Sequence, residues 1–170
     1  MSKVLARWNG LEAEQAAKEI LPCCGSRAWA RALAARRPLE NESSLVRCSD
    51  EIWNGLPLED WLEAFSSHPR IGERKAPPPA SSQSAAWSQQ EQKNIADAGE
   101  QGQSALASGN REYERRFGRV FLVCATGKSA SEILAILEQR LQNDDATELQ
   151  EAAEEQRKIT NLRLKKWLSQ

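Results

Sequence analysis

His68 is the single histidine of the chain, and its residue type and position suit proton-transfer chemistry. It lies in segment 67–72, which reads SHPRIG, between a predicted helix end and a predicted loop. An imidazole titrates near neutral pH and therefore suits proton transfer. Because Pro69 biases the preceding residue toward extended backbone, the ring of His68 is expected to have one fixed orientation. The residues also allow a second interpretation, in which His68 is a partly exposed loop histidine that caps a helix.

Ser88, Glu91 and Gln92 form a second group, which would share one face of a helix because of their spacing. A hydroxyl, a carboxylate and an amide could then converge on one polar ligand. The pattern Ser-x-x-Glu is also typical of a capping box at a helix N-terminus, where the glutamate turns back to the serine backbone. The two interpretations differ in where the Glu91 carboxylate points.

Two further candidates lie in the C-terminal half of the chain. Arg163 borders the apolar stripe of a predicted helix, where its guanidinium could bind a carboxylate through two hydrogen bonds. A solvated charge at a helix end is the alternative. Residues 119–125, which read RVFLVCA, are predicted to form a strand or an extended connector. Part of this segment, 121–125, would offer backbone donors to a neighbouring pocket, although core packing explains its apolar side chains equally well.

Helices are predicted to position these groups, because apolar residues recur at helical intervals along most of the chain. Pro22 and Pro38 end the first two helices, whereas Gly99, Gly102 and Gly109 leave the breaks in the middle of the chain open. The predicted helices cover 12–21, 26–36, 43–54, a segment from Pro57 onward, 87–107, 109–117, 129–141 and 146–168.

The segment 66–83 holds four of the seven prolines and is predicted to be one long loop. Pro77, Pro78 and Pro79 in succession cannot lie inside a helix. A loop of this length in a small domain is usually functional or disordered, and we expect an ordered first half and a mobile second half. The chain, 1–170, is therefore predicted to be one all-α domain, a helical bundle with one long proline-rich loop.

Composition excludes several classes of protein. The chain is 40% hydrophobic and 28% charged with a net charge of -1, which is typical of a soluble globular domain without the basic excess of a nucleic-acid binder. Its N-terminus lacks the apolar core of a signal peptide, and no apolar run is long enough to span a membrane. The four cysteines form neither a CxxC pair nor a cluster with histidine, so we expect no metal site and reduced thiols in a cytoplasmic protein.

Five motifs occur in a fixed order along the chain. They are WLEAF at 61–65, HPRIG at 68–72, SQQEQ at 88–92, YERRFGRVFLVCA at 113–125 and EQRKITNLRL at 155–164. Together they resemble the 2-oxo-4-hydroxy-4-carboxy-5-ureidoimidazoline (OHCU) decarboxylase family over nearly the whole chain. The resemblance implies an all-helical carboxy-lyase without a cofactor. This enzyme would convert the ureidoimidazoline to (S)-allantoin and CO2 during urate degradation.

The resemblance also implies site residues and partners. The histidine and glutamate that are catalytic in the family correspond to His68 and Glu91. Substrate contacts correspond to Pro69, Ser88, Gln92, Phe121, Leu122, Val123, Cys124, Ala125 and Arg163. The implied partner is a small-molecule substrate, with neither nucleic acid nor membrane, and members of the family often form homodimers.

The residues fit the implied chemistry. Electrons left by CO2 can flow into a neighbouring imine-like carbon, so a positioned acid–base pair suffices without a metal or pyridoxal. We expect Glu91 to orient and tune His68, which transfers the proton.

Two other functions stay open at this point. One is a non-catalytic helical interaction module, in which His68 and Glu91 only cap helices. The other is a different cofactor-free lyase or hydrolase with Cys124 as nucleophile, although a thiol in an apolar run is expected to be buried and inert.

Overall fold

The computed structural model describes residues 2–73, 81–95 and 98–170, and the all-α prediction is confirmed within them, where helices occur and strands do not. One-turn 3₁₀ segments follow two of the helices, at Leu21–Cys23 and Lys93–Ile95. The helices are α1 (Lys3–Asn9), α2 (Ala13–Ile20), α3 (Arg27–Ala35), α4 (Glu42–Asn54), α5 (Leu58–Ser66), α6 (Ser82–Glu91), α7 (Gly99–Phe117), α8 (Ala130–Arg140) and α9 (Asp145–Leu168). No helix of these ranges is both long enough and apolar enough to cross a membrane.

The chain divides into two compact units, and the first comprises Met1–Ala64 and Arg157–Gln170. Tryptophans dominate its core. The rings of Trp8 and Trp167 meet edge to face with centroids 5.6 Å apart, and Trp29 is fully buried. Their indole N–H groups donate to acceptors within the same unit; that of Trp8, for example, donates to the carbonyl of Ala16 at 2.9 Å. The large apolar rings are therefore buried without leaving a polar atom unpaired.

The second unit comprises Phe65–Gln156. Its core cluster joins apolar residues of α7 and α8 to the connector between them, among them Tyr113, Phe121 and Leu137. Helices α7 and α8 approach closely at Gly109, since a Cβ added there would collide with the side chain of Leu137. The predicted division into helices 87–107 and 109–117 is wrong for this reason: Gly109 permits a close helix contact inside α7 instead of ending a helix.

The break in this region falls earlier than predicted. Helix α6 ends at Glu91, and α7 begins at Gly99, whose φ of 68° favours glycine. Helix α6 begins at Ser82, so the last two residues of the predicted loop 66–83 are helical, because the hydroxyl of Ser81 caps the helix by accepting from the N–H of Ser84 at 3.1 Å. The predicted mobile half of that loop lies mostly in 74–80, outside the described residues.

Candidate active site

The ring of His68 is buried in the second unit, with 5% of the residue exposed. It follows the end of α5, where its backbone N–H donates to the carbonyl of Phe65 at 3.2 Å. Its Nε2 lies 2.8 Å from Oε1 of Gln156, a buried side chain of α9. The interpretation as a partly exposed capping histidine is therefore wrong, because the ring is enclosed and bonded to a distant helix.

Residues 68–72 are held in place from several helices. Asn110 of α7 donates from Nδ2 to the carbonyl of Ile71 at 2.9 Å, and Gln92 accepts the N–H of Gly72 on Oε1 at 3.0 Å. Arg70 pairs with Glu114 through two hydrogen bonds of 2.5 and 3.0 Å, which raise the pKa of the guanidinium. The backbone that follows His68 is thus fixed at Ile71 and Gly72. Sequence reasoning missed Asn110 and Glu114.

Gly72 ends this segment in a turn, in which the N–H of Glu73 donates to the carbonyl of Arg70 at 3.0 Å. Its φ is 88°, a region that L side chains rarely adopt. Glycine is therefore required at position 72 by backbone conformation, while a Cβ there would meet no atom within 4 Å.

Ser88 and Glu91 do not form a capping box. Helix α6 is capped by Ser81, so Ser88 lies well inside the helix, 4% exposed, and Glu91 is its last residue. A carboxylate in this position faces the negative end of the helix dipole, which disfavours it by a few tenths to about 1 kcal/mol. Local helix energetics therefore give no reason for an acidic residue at 91.

The connector 119–125 forms neither a helix nor a strand, and its residues 121–125 are all buried. The carbonyl of Leu122 accepts from Nη1 of Arg140 at 2.5 Å. The N–H of Cys124 donates to Oε2 of Glu155 at 2.6 Å, and the carbonyl of Cys124 accepts from Nζ of Lys128 at 2.7 Å. Among the residues that the structure describes, none accepts the backbone N–H of Leu122 or Val123.

A buried ionic cluster braces the connector. Arg140 and Glu148 are 3% and 0% exposed and form a salt bridge. The hydroxyl of Tyr113 donates to Glu148 at 2.5 Å, as does Nδ2 of Asn143 at 3.0 Å. Burial raises the pKa of the Tyr113 hydroxyl, and its bond to the carboxylate raises it further. Because Arg140 also holds the carbonyl of Leu122, the cluster ties the connector to α7, α8 and α9.

The negative charge of Glu91 acts on Cys124, a residue of the connector. Burial is the main cause that raises the pKa of the Cys124 thiol, and the negative charges of Glu155 and Glu91 raise it further. The thiol is therefore held protonated, which argues against Cys124 as a nucleophile. All four cysteines are free and buried.

Arg163 belongs to the first unit, where it is fully buried, so the interpretation as a solvated charge at a helix end is wrong. Its Nη1 donates to the carbonyl of Pro22 at 3.3 Å. Its positive charge lowers the pKa of the Cys23 and Cys24 thiols, but their burial outweighs this effect and raises both. A buried guanidinium requires anionic or polar partners.

Within the second unit, His68 contacts Gln156, the connector contacts the neighbouring Glu155, and the charge of Glu91 acts on Cys124. Pro69 and Ser88 are buried in the same unit, and Gln92 is half-buried. Sequence reasoning gave no role to Glu155 and Gln156; the signal for Gln156 is a polar residue among Ala152, Ala153 and Ile159 on the buried face of α9. Among the described residues, no group of three or more His, Cys, Asp and Glu side chains is placed to hold a metal ion.

The described residues are mainly helical, and they hold a buried histidine bonded to a distant helix and a connector with backbone N–H groups that lack an acceptor among them, features that suit a small-molecule enzyme. The family model for OHCU decarboxylase matches residues 9–165. The chain therefore belongs to the OHCU decarboxylase family, a family of carboxy-lyases, and the resemblance drawn from the five motifs is confirmed.

Curated relatives agree with this family. The chain is 37% identical over 148 residues to the uric acid degradation bifunctional protein TTL of Arabidopsis thaliana, covering 86% of this chain and 45% of that protein. The chain thus spans less than half of that relative. It is 32% identical over 136 residues to 2-oxo-4-hydroxy-4-carboxy-5-ureidoimidazoline decarboxylase of Amia calva, covering 79% of this chain and 77% of that protein.

A solved structure also matches. It is a crystal structure of OHCU decarboxylase in the presence of (S)-allantoin, with a TM-score of 0.76 and 33% identity. The match covers 94% of this chain and 100% of that chain. The helical architecture is therefore that of the family.

Proposed function

We propose that this protein decarboxylates 2-oxo-4-hydroxy-4-carboxy-5-ureidoimidazoline to (S)-allantoin and CO2 in urate degradation. The observation that carries the proposal is the burial of His68 and its 2.8 Å contact with Gln156, in a chain of the OHCU decarboxylase family. The relatives named for urate degradation and for this decarboxylation support it, as does the matching protein crystallised with (S)-allantoin.

The reaction needs little beyond positioning and proton transfer. The bond between the carboxylate and its ring carbon breaks, and the electron pair forms a double bond to the neighbouring carbon. That carbon passes its own imine electrons to nitrogen, which takes up a proton. The resulting enol then loses its hydroxyl proton and gains a proton on carbon, on one face only. Chirality therefore depends on a proton donor held in one place.

His68 is the group that exchanges this proton in our proposal. Its enclosure removes bulk water from the ring, and its fixed backbone keeps one ring orientation. Glu91 acts with it by orienting and tuning the ring. The support for Glu91 is its place at the C-terminal end of α6, where helix stability does not explain a carboxylate, and its electrostatic proximity to the connector.

Substrate binding is assigned to the remaining family positions. The backbone N–H groups of Leu122 and Val123, for which no acceptor lies among the described residues, suit carbonyl or carboxylate oxygens of a ligand. Arg163 is a buried cation suited to an anionic group. The other proposed contacts are Pro69, Ser88, Gln92, Phe121, Cys124 and Ala125.

We also propose the extent of the domain, its compartment and its oligomeric state. The family match runs through residues of both compact units, which supports one working decarboxylase domain over 1–170. Four free, buried thiols suit a reducing compartment, so we place the protein in the cytoplasm. A homodimer is proposed on the family resemblance, with the small substrate as the remaining partner. The substrate supplies its own electron sink, so the proposed reaction uses no cofactor.

The proposal is tested with urate oxidised in situ, by following the circular dichroism of allantoin with and without the protein. We expect rapid formation of one enantiomer. Racemic product at the rate of the protein-free reaction would overturn the proposed function.

A further inference from the structure

We propose that Gln156 is a positioning residue that fixes the ring of His68 and, while the ring is neutral, selects its Nε2–H tautomer. The tautomer itself is independent of the proposed function, whereas its catalytic consequence rests on that function.

The contact between the two side chains defines the donor. Oε1 of Gln156 lies 2.8 Å from Nε2 of His68. An amide oxygen can only accept a hydrogen bond, and a neutral imidazole carries a single N–H. Nε2 must therefore hold that hydrogen, and Nδ1 carries the lone pair of the neutral ring.

Burial makes this preference strong. Gln156 is 0% exposed and His68 is 5% exposed. With the Gln156 amide in its observed orientation, the opposite tautomer would set the lone pair of Nε2 against those of the amide oxygen inside the protein, and an unmade buried hydrogen bond costs about 1–3 kcal/mol. The selection is therefore enforced by an uncharged acceptor.

Helix α9 limits the freedom of this acceptor. Glu155, the residue before Gln156, accepts the N–H of Cys124 at 2.6 Å. Adjacent residues of one helix thus hold the connector and the histidine, so Gln156 cannot shift without disturbing both contacts. This arrangement keeps the ring of His68 at a fixed place, as a proton transfer to one face of an enol requires.

The test reads the ring nitrogens of His68 by ¹⁵N NMR in ligand-free protein without a polyhistidine tag. The chain has one histidine, so every imidazole signal belongs to His68. At a pH where the ring is neutral, we expect the Nε2–H tautomer in the wild type. Gln156→Leu removes the acceptor, so a fraction of the Nδ1–H form should appear beside Nε2–H, whereas Gln156→Glu keeps an acceptor and should retain Nε2–H. The matched control is Gln150→Leu, the same change at an exposed position of α9, which should leave the signals unchanged.

The turnover consequence is measured separately. Gln156→Leu should lower kcat about 10²-fold with a smaller change in KM. Gln150→Leu should leave both kcat and KM unchanged. An Nδ1–H tautomer in the wild type would overturn the inference, as would an unchanged tautomer in Gln156→Leu. If Gln156→Leu does not fold, an Nδ1–H tautomer in the wild type would still overturn the inference. A wild-type protein with the expected tautomer but no allantoin formation would contradict the proposed function alone.

Discussion

Glu155 accepts a hydrogen bond from the backbone N–H of Cys124 at 2.6 Å, and so binds helix α9 to the connector 119–125. The next residue, Gln156, contacts the ring of His68. Within the second unit, one helix therefore determines where both the histidine and the connector lie. The proposed chemistry depends on this helix as much as on residues 68–72.

The salt bridge of Arg140 and Glu148 is expected to be critical for stability. Arg140→Met leaves Glu148 charged and fully buried without its partner, which should lower the free energy of unfolding by about 3–5 kcal/mol. Chemical denaturation measures this difference. The exposed pair of Arg7 and Glu19 is the control, since Arg7→Met should cost less than about 1 kcal/mol. Equal losses of unfolding free energy in the two variants would disprove that the buried ion pair contributes more to stability than the exposed one.

Gly72→Ala tests the conformation of the loop that carries His68. Alanine at a φ of 88° should cost about 1–2 kcal/mol, although its Cβ meets no atom within 4 Å. We also expect slower turnover, because the turn helps to fix residues 68–72. In the control Gly55→Ala, where φ is −93°, stability should be unchanged or rise by up to about 1 kcal/mol. A fully stable and active Gly72→Ala protein would show that this turn does not need glycine.

The buried thiols predict a loss of stability at alkaline pH. Burial raises the pKa of Cys24 to about 12 from an ordinary value of 9.0, and it also raises those of Cys23 and Cys124. Folding therefore favours the protonated thiol. This contribution is fully present below pH 9 and is lost as the pH rises toward 12.

Denaturation curves at several pH values measure this effect for Cys24. Wild-type protein should lose more unfolding free energy between neutral and alkaline pH than Cys24→Ala, which lacks the titrating group. Parallel pH profiles of the two proteins would refute the assignment to Cys24. In the native state at neutral pH, we also expect none of the cysteines to react with iodoacetamide at an appreciable rate.

Several helices could be predicted because their signals are local. Pro38 follows the end of α3, and Ser129 with Glu132 forms a capping box at the start of α8. Helix α9 follows from its long pattern and its charge distribution, acidic early and basic late. These elements depend on neighbouring residues alone, which a single sequence displays.

The contacts that build the site are long-range and leave little local signal. His68 and Gln156 are separated by 88 positions, and Arg140 meets the carbonyl of Leu122 across 18. Ser88 and Glu91 matched a capping box in sequence, yet the start of α6 was determined by Ser81. The family motifs predicted which residues belong to the site. The side chains that position those residues were identified only from the structure.

Glu91→Gln should separate activity from stability. The change relieves the unfavourable interaction of a carboxylate with the C-terminal end of α6, and glutamine keeps the size and hydrogen-bonding capacity of the side chain, so the free energy of unfolding should change by less than about 1 kcal/mol. Turnover should fall, because the carboxylate that tunes His68 is lost. Glu132→Gln is the matched control: it removes a capping-box carboxylate at the start of α8 and should lower stability without changing turnover. An active Glu91→Gln protein would remove Glu91 from the proposed pair.

The most direct test of the central claim is the rate of (S)-allantoin formation by His68→Asn, measured by circular dichroism with urate oxidised in situ. Its far-ultraviolet spectrum should first establish that the helices are retained. We predict a rate lower than the wild-type rate by about 10²–10⁴-fold, with loss of enantiomeric preference. Unchanged turnover and unchanged stereochemistry in folded His68→Asn would contradict the assignment of proton transfer to His68.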